Sequence, residues 1–137
     1  VCSSDLAGDT HRVISPESAS TMADLLTQVV CSGTGSRAQL SGISVAGKTG
    51  TGFKVQANGT YEKEDGSRAY FATFVGFLPA KAPQVTILVS IDEPDPSSRD
   101  RFGGTAAAPV FAELAQMAIH ERSIEPTPGD SGCPAQG

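Results

Sequence analysis

The sequence predicts an α/β chain of the α+β kind, an antiparallel three-stranded sheet packed by two helices, on three observations. A helical stretch with a capped start covers Pro16 to Cys31. Three runs rich in β-branched and aromatic residues follow, separated by polar or proline-bearing turns rather than by helices. A second helical stretch, Thr105 to Glu121, closes the pattern.

The first helix is the best punctuated element. Ser15 is a favourable N-cap, Pro16 suits the first helical position, and Glu17 complements the positive end of the helix dipole. Ala19, Met22, Leu26, Val29 and Val30 recur at helical spacing and predict the buried stripe. Gly33-Thr34-Gly35-Ser36 is a turn by composition. Gly42 to Gly52 reads as the first strand, because Ile43 and Val45 alternate with Ser44 and Ala46. Phe53 to Arg68 is polar, with Asn58-Gly59 and Asp65-Gly66 as turn signals, and reads as an exposed loop or loose hairpin. Ala69 to Leu78 is the second strand. Both its faces are largely apolar, which predicts cover above and below. Gln84 to Ile91 is the third, central in character. Asp92 to Gly104 is a loop ending in two glycines, and the second helix carries Val110, Leu114, Met117 and Ala118 on one stripe. From Arg122 onward proline, glycine and serine predict a disordered tail. The organisation expected is a ragged or non-native start over residues 1–11, a domain portion over 12–121 and a tail over 122–137.

Composition narrows the function. A chain of 137 residues with a formal net charge of −5 lacks the basic face that a nucleic-acid partner needs. No apolar run reaches the roughly 18–20 residues of a membrane span, and Val1 to Gly8 has no signal-peptide architecture. Cys2, Cys31 and Cys133 contain no C-x-x-C, so neither a zinc site nor a redox pair is encoded, and Cys31 reads as a small buried hydrophobe. His11 and His120 read as solvated helix flanks, and Asp92-Glu93 as a strand-end pair rather than a metal site. No metal or cofactor is expected.

The residues that draw attention are Val45-Ala46-Gly47-Lys48-Thr49-Gly50-Thr51. Lys48 stands where a strand ends or lines a cleft, and Gly50 leaves the main chain bare for a ligand to approach. One remote reading is a P-loop nucleotide hydrolase, since Gly42 to Thr49 satisfies G-x-x-x-x-G-K-[ST] and Val85 to Glu93 imitates the accompanying acidic strand. Its context fails. A P-loop opens a helix whose amides hold the phosphates, whereas Gly50-Thr51-Gly52-Phe53 is a poor helix start and Ile43 and Val45 favour a strand.

The reading that fits its context comes from several motifs together. Val13-Ile14-Ser15-Pro16-Glu17, Gly33-Thr34-Gly35, Val45 to Thr51 and Phe74-Val75-Gly76-Phe77-Leu78-Pro79-Ala80 follow in order. Ile91-Asp92-Glu93-Pro94, Gly103-Gly104 and Ala108-Pro109-Val110-Phe111 continue it. From about Arg12 to His120 the chain resembles the closing part of the transpeptidase domain of class B penicillin-binding proteins, the division-type branch nearest. The resemblance implies a partial β-lactamase/transpeptidase-like fold. It implies a D,D-transpeptidase that cross-links peptidoglycan stem peptides, is acylated by β-lactam antibiotics, and works with division or elongation machinery. Such proteins are membrane-anchored with the catalytic domain outside the membrane.

By the same resemblance Lys48 supplies positive potential to the substrate's terminal carboxylate and to the hydroxyl of a Ser-x-Asn motif. Thr49 bonds that carboxylate, Gly50 lets the peptide pair along the strand, and the Thr51 amide is one of two oxyanion-hole donors. The departures are definite. No serine in this sequence is followed at the third position by lysine, and the one asparagine, Asn58, does not complete Ser-x-Asn. Ser4-Asp5 is a false echo. The sequence therefore reads as a fragment, inactive on its own. The alternative is a β-lactam-binding sensor or non-catalytic scaffold on the same fold. A β-lactamase fits the flanking motifs less well.

Overall fold

The computed structural model describes residues 11–95 and 97–133. The expected ragged start from Val1 to Leu6, the Ser4-Asp5 pair, Cys2 and the last four residues of the tail lie outside them. Helix α1 spans Pro16–Cys31, and Ser15 caps it by accepting the Ser18 amide at 3.1 Å. Only its C-terminal end enters the core. Val30 and Cys31 are buried, whereas Met22, expected inside, is 53% exposed.

Three strands form one antiparallel sheet in the order β1 (Ala46–Phe53), β2 (Tyr70–Leu78), β3 (Val85–Asp92). The first strand starts four residues later than the alternation suggests. Ile43 and Val45 are buried, but Gly42 turns with φ +78° and Ser44 is held by hydrogen bonds from outside the sheet. Asn58-Gly59 and Asp65-Gly66 do make the turns expected of them. Each acidic or amide side chain accepts the amide two residues on, and both glycines have positive φ.

The sheet is covered on one face. Ala72, Phe74 and Leu78 point into the core, while Phe71 and Val75 of the same strand are exposed, as is Leu88, which lies opposite Val75. The expectation of cover on both faces of β2 is therefore corrected: among the described residues, α1 flanks β1 and the second helix covers a single face. Apolar residues on both faces record what a strand is built to bury, not what this chain supplies.

That second helix, α2 (Ala108–Arg122), follows a π-helical turn at Gly103–Ala107. Its inward stripe is Ala108, Phe111 and Ala115, and the Phe111 ring meets Phe74 edge-to-face at 4.8 Å. The stripe expected from the sequence, Val110, Leu114, Met117 and Ala118, is displaced: its three large members are exposed. Apart from Phe111 and Ile119, the bulkier apolar residues of this helix are the outward ones. The helix lies so near the sheet that a Cβ at Gly76 would press on the Phe111 ring, and such closeness favours alanines around one phenylalanine.

Beyond α2 the chain packs back onto the domain as far as residue 133. Ser123 ends the helix in the left-handed region, and Ile124 is buried with its amide donating to Ile119 O. Gly132 pairs with Ser41, and Cys133 forms a disulfide with Cys31 across a Cα separation of 5.2 Å. Cys31 is thus buried as expected, but as half of a cross-link rather than as a free hydrophobe.

Candidate active site

Strand β1 carries Ala46-Gly47-Lys48-Thr49-Gly50-Thr51-Gly52-Phe53 along one edge of the sheet. Its register against β2 pairs Lys48 with Val75, Gly50 with Thr73 and Gly52 with Phe71. Just past the strand the Lys54 amide donates to Ala69 O at 2.9 Å. Main-chain direction alternates along an antiparallel ladder, so even-numbered residues of β1 turn their amides toward β2 and odd-numbered ones turn away. The amides and carbonyls of Thr49 and Thr51 therefore line the outer edge, where no strand pairs with β1 among the described residues. This segment is a strand throughout, not a turn opening a helix, which excludes the phosphate-loop reading.

Side chains alternate across the same strand. Thr49 and Thr51 share the face of the buried Phe74, and Lys48 stands on the opposite, open face. Lys48 is exposed, and its Nζ folds back to donate to Thr49 O at 2.9 Å. The Thr49 hydroxyl lies 2.9 Å from that of Thr34, in the Gly33-Thr34-Gly35 turn after α1. The Thr51 hydroxyl accepts the Gly103 amide at 3.0 Å. The two hydroxyls are thus fixed from different sides, one by the chain entering the sheet and one by the chain leaving it.

Glycine at position 50 has a cause that sequence reasoning missed. A Cβ there would collide with the hydroxyl of Thr73, its cross-strand partner. Gly103 is tighter still, since a Cβ would run into the carbonyls of Thr73 and Gly50, and one at Gly104 would strike Thr34 O. The two consecutive glycines let the loop before α2 lie directly on the Lys-Thr-Gly strand. Thr34, Thr73 and the Gly103 amide complete the arrangement around Lys48, Thr49, Gly50 and Thr51. The glycine clusters around Thr34 and at Gly103-Gly104 were visible signals in the sequence. Thr73 carried none.

The far end of the sheet is closed by charge. Lys54 bonds Asp92 at 2.7 Å and Glu93 at 3.1 Å, and Lys63 approaches Glu93 at 3.4 Å. Donation to Asp92 and then to Glu93 raises the Lys54 pKa, and the bond accepted from Lys54 chiefly lowers that of Glu93. Asp92-Glu93 thus serves a strand-end ion cluster. Beside it Arg101 lies over the Phe102 ring at 4.7 Å and the Tyr70 ring at 5.5 Å.

An ammonium, two fixed hydroxyls and outward amides along one strand edge suit a ligand with an extended backbone and an anionic oxygen. Comparison with known proteins points the same way. Residues 5–116 match the family described as the penicillin binding protein transpeptidase domain. Stage V sporulation protein D of Bacillus subtilis is 35% identical over 115 residues, covering 84% of this chain and 17% of that protein. The peptidoglycan D,D-transpeptidase FtsI homolog of Chlorokybus atmophyticus is 35% identical over 117 residues, covering 85% and 16%. Among solved structures, the transpeptidase domain of Burkholderia pseudomallei penicillin-binding protein 3 superposes with a TM-score of 0.70 at 33% identity. That match covers 85% of this chain and 34% of the other. The chain thus spans about a sixth of the length of these curated relatives. With most of its length matched in sequence, and the Lys-Thr-Gly strand set in the fold those domains share, the chain belongs to the penicillin-binding protein transpeptidase domain family.

Proposed function

We propose that this chain supplies one wall of a serine acyl-transfer site in a peptidoglycan D,D-transpeptidase. The observation that carries the reading is the outward turn of the Thr49 and Thr51 main chain on an edge that also bears Lys48. A stem peptide laid along that edge pairs as an added strand. Its terminal carboxylate meets the Lys48 ammonium and the Thr49 hydroxyl. The Thr51 amide donates to the scissile carbonyl oxygen as it becomes an oxyanion, a contribution of about 3–4 kcal/mol for one such donor. Gly50 contributes by letting the strand, Thr73 and the Gly103 loop close on one another, besides leaving its own backbone bare.

The nucleophile and its base come from elsewhere in the parent protein, since no Ser-x-x-Lys occurs in this sequence. β-Lactams, which present a strained amide and a carboxylate, occupy the same edge. Membrane anchorage with the site outside the membrane, and partners in the division or elongation machinery, follow as part of the proposal. The family match and the FtsI-type name of one relative support them.

The test has two arms. The chain alone, treated with a fluorescent penicillin, gives no covalent adduct; stable labelling would overturn the assignment of the nucleophile to another segment. Extending the reading frame upstream of Val1 should reveal Ser-x-x-Lys followed by Ser-x-Asn in frame. A start site immediately before Val1 would remove the transpeptidase reading and leave a binding or scaffold role.

A further inference from the structure

Strand β1 has a weakness that the proposed chemistry cannot tolerate. Of its eight residues Gly47, Gly50 and Gly52 carry no side chain, and one edge has no strand partner among the described residues. Register is poorly specified in glycine-rich strands, and a slip of one residue exchanges the two faces. Such a slip would move Lys48 to the buried face and turn the Thr51 amide from the outer edge toward β2.

The segment after α2 answers this weakness. Asp130 accepts the Ser44 amide at 3.0 and 3.1 Å, the Ser44 hydroxyl at 2.6 Å and the Gly132 amide at 3.0 Å. Ser44 is itself buried, and its carbonyl and hydroxyl both accept from Ala80 N, at 3.0 and 3.2 Å. It sits two residues before β1, so whatever holds Ser44 sets the phase of Lys48. The carboxylate is held in turn. Ile124 anchors one end of the segment in the core, and the Cys31–Cys133 disulfide ties the other to the end of α1.

We infer that Asp130 is a positioning residue: through Ser44, and braced by the Cys31–Cys133 cross-link, it locks the register of the Lys-Thr-Gly strand. The register claim stands independently of the chemistry; its consequence for acyl transfer rests on the transpeptidase reading. Burial pulls the Asp130 carboxyl upward. The Ser44 hydroxyl and amide, the Gly132 amide and the Lys81 charge more than offset it and leave the pKa below the usual carboxylate value. The lock is therefore fully present above the ordinary carboxylate range and is lost as pH falls through the lowered value.

Amide hydrogen exchange in the intact chain tests this without any acylation assay. In the native register the amides of Lys48, Gly50 and Gly52 are protected and those of Thr49 and Thr51 are not. Asp130→Ala should lower this even-to-odd contrast about tenfold or more, the size of a charge-assisted bond lost at Ser44. The inward amides of β3, at Ile87, Val89 and Ile91, should keep their protection. Asp130→Asn keeps an acceptor for Ser44 and should restore most of the contrast, without the acid-dependent loss seen in the native chain. An unchanged contrast in Asp130→Ala would overturn the inference. So would an equal loss of protection in β3, which would make the segment a general brace. Failure of the penicillin experiments with these exchange results intact would sink the transpeptidase reading alone.

Discussion

Gly50 and Thr73 are the pair on which the shape of the Lys-Thr-Gly strand depends most locally. Because a Cβ at position 50 would overlap the Thr73 hydroxyl, Gly50→Ala should cost about 1–3 kcal/mol. The double change Gly50→Ala with Thr73→Ala should recover most of it. A denaturant-melt mutant cycle reads the coupling directly, and additive effects would contradict the contact. In the core, Phe111 fills the space above Phe74, so Phe111→Ala should destabilise by about 3–5 kcal/mol, measured the same way. Lys48, Thr49 and Thr51 were legible as site candidates through the motifs that flank them and the resemblance those motifs carry, not through residue type alone. Thr73 was not, since a threonine in a strand is what β-propensity already expects.

At the scale of elements, local rules served best where local chemistry decides. Ser15 and Pro16 set the start of α1, and Asn-Gly and Asp-Gly make the hairpin turns. What local rules missed was set by distance in space. The inward face of α2 is chosen by closeness to the sheet, which prefers Ala108 and Ala115 over Leu114 and Met117. The start of β1 is fixed by Asp130, 86 residues away from Ser44. The proline- and glycine-rich tail reads as disordered because composition does not reveal that its cysteine has a partner 102 positions earlier. Closing a loop of that size constrains the unfolded chain strongly. Reduction, or Cys133→Ser, should cost about 3–5 kcal/mol, seen as a lower denaturation midpoint. A midpoint unmoved by reductant would show the cross-link to be thermodynamically idle.

For the whole molecule, the open face of the sheet is the dominant fact. Phe71, Val75 and Leu88 lie exposed beside a β3 edge that has no strand partner among the described residues, a combination that favours strand-to-strand association. The chain in isolation should self-associate at high concentration, and Val75→Lys with Leu88→Lys should reduce that association. Sedimentation velocity checks both, and a concentration-independent monomer for the unmodified chain would count against the account. The overall class, two helices and three antiparallel strands, was legible because each element has its own period and punctuation. One-sided cover was not, since the residues of β2 are apolar on both faces whether or not the covering partner is present.

Everything proposed for this chain turns on Lys48 and the edge it stands on forming one wall of an acyl-transfer site. The most direct measurement is the second-order rate of acylation by a β-lactam in the parent protein carrying this segment, native against Lys48→Ala. A fall of about a hundredfold or more is expected, in line with the loss of one preorganised electrostatic group at a reacting centre. A variant acylated within about twofold of the native rate, well under 1 kcal/mol of barrier, would contradict it.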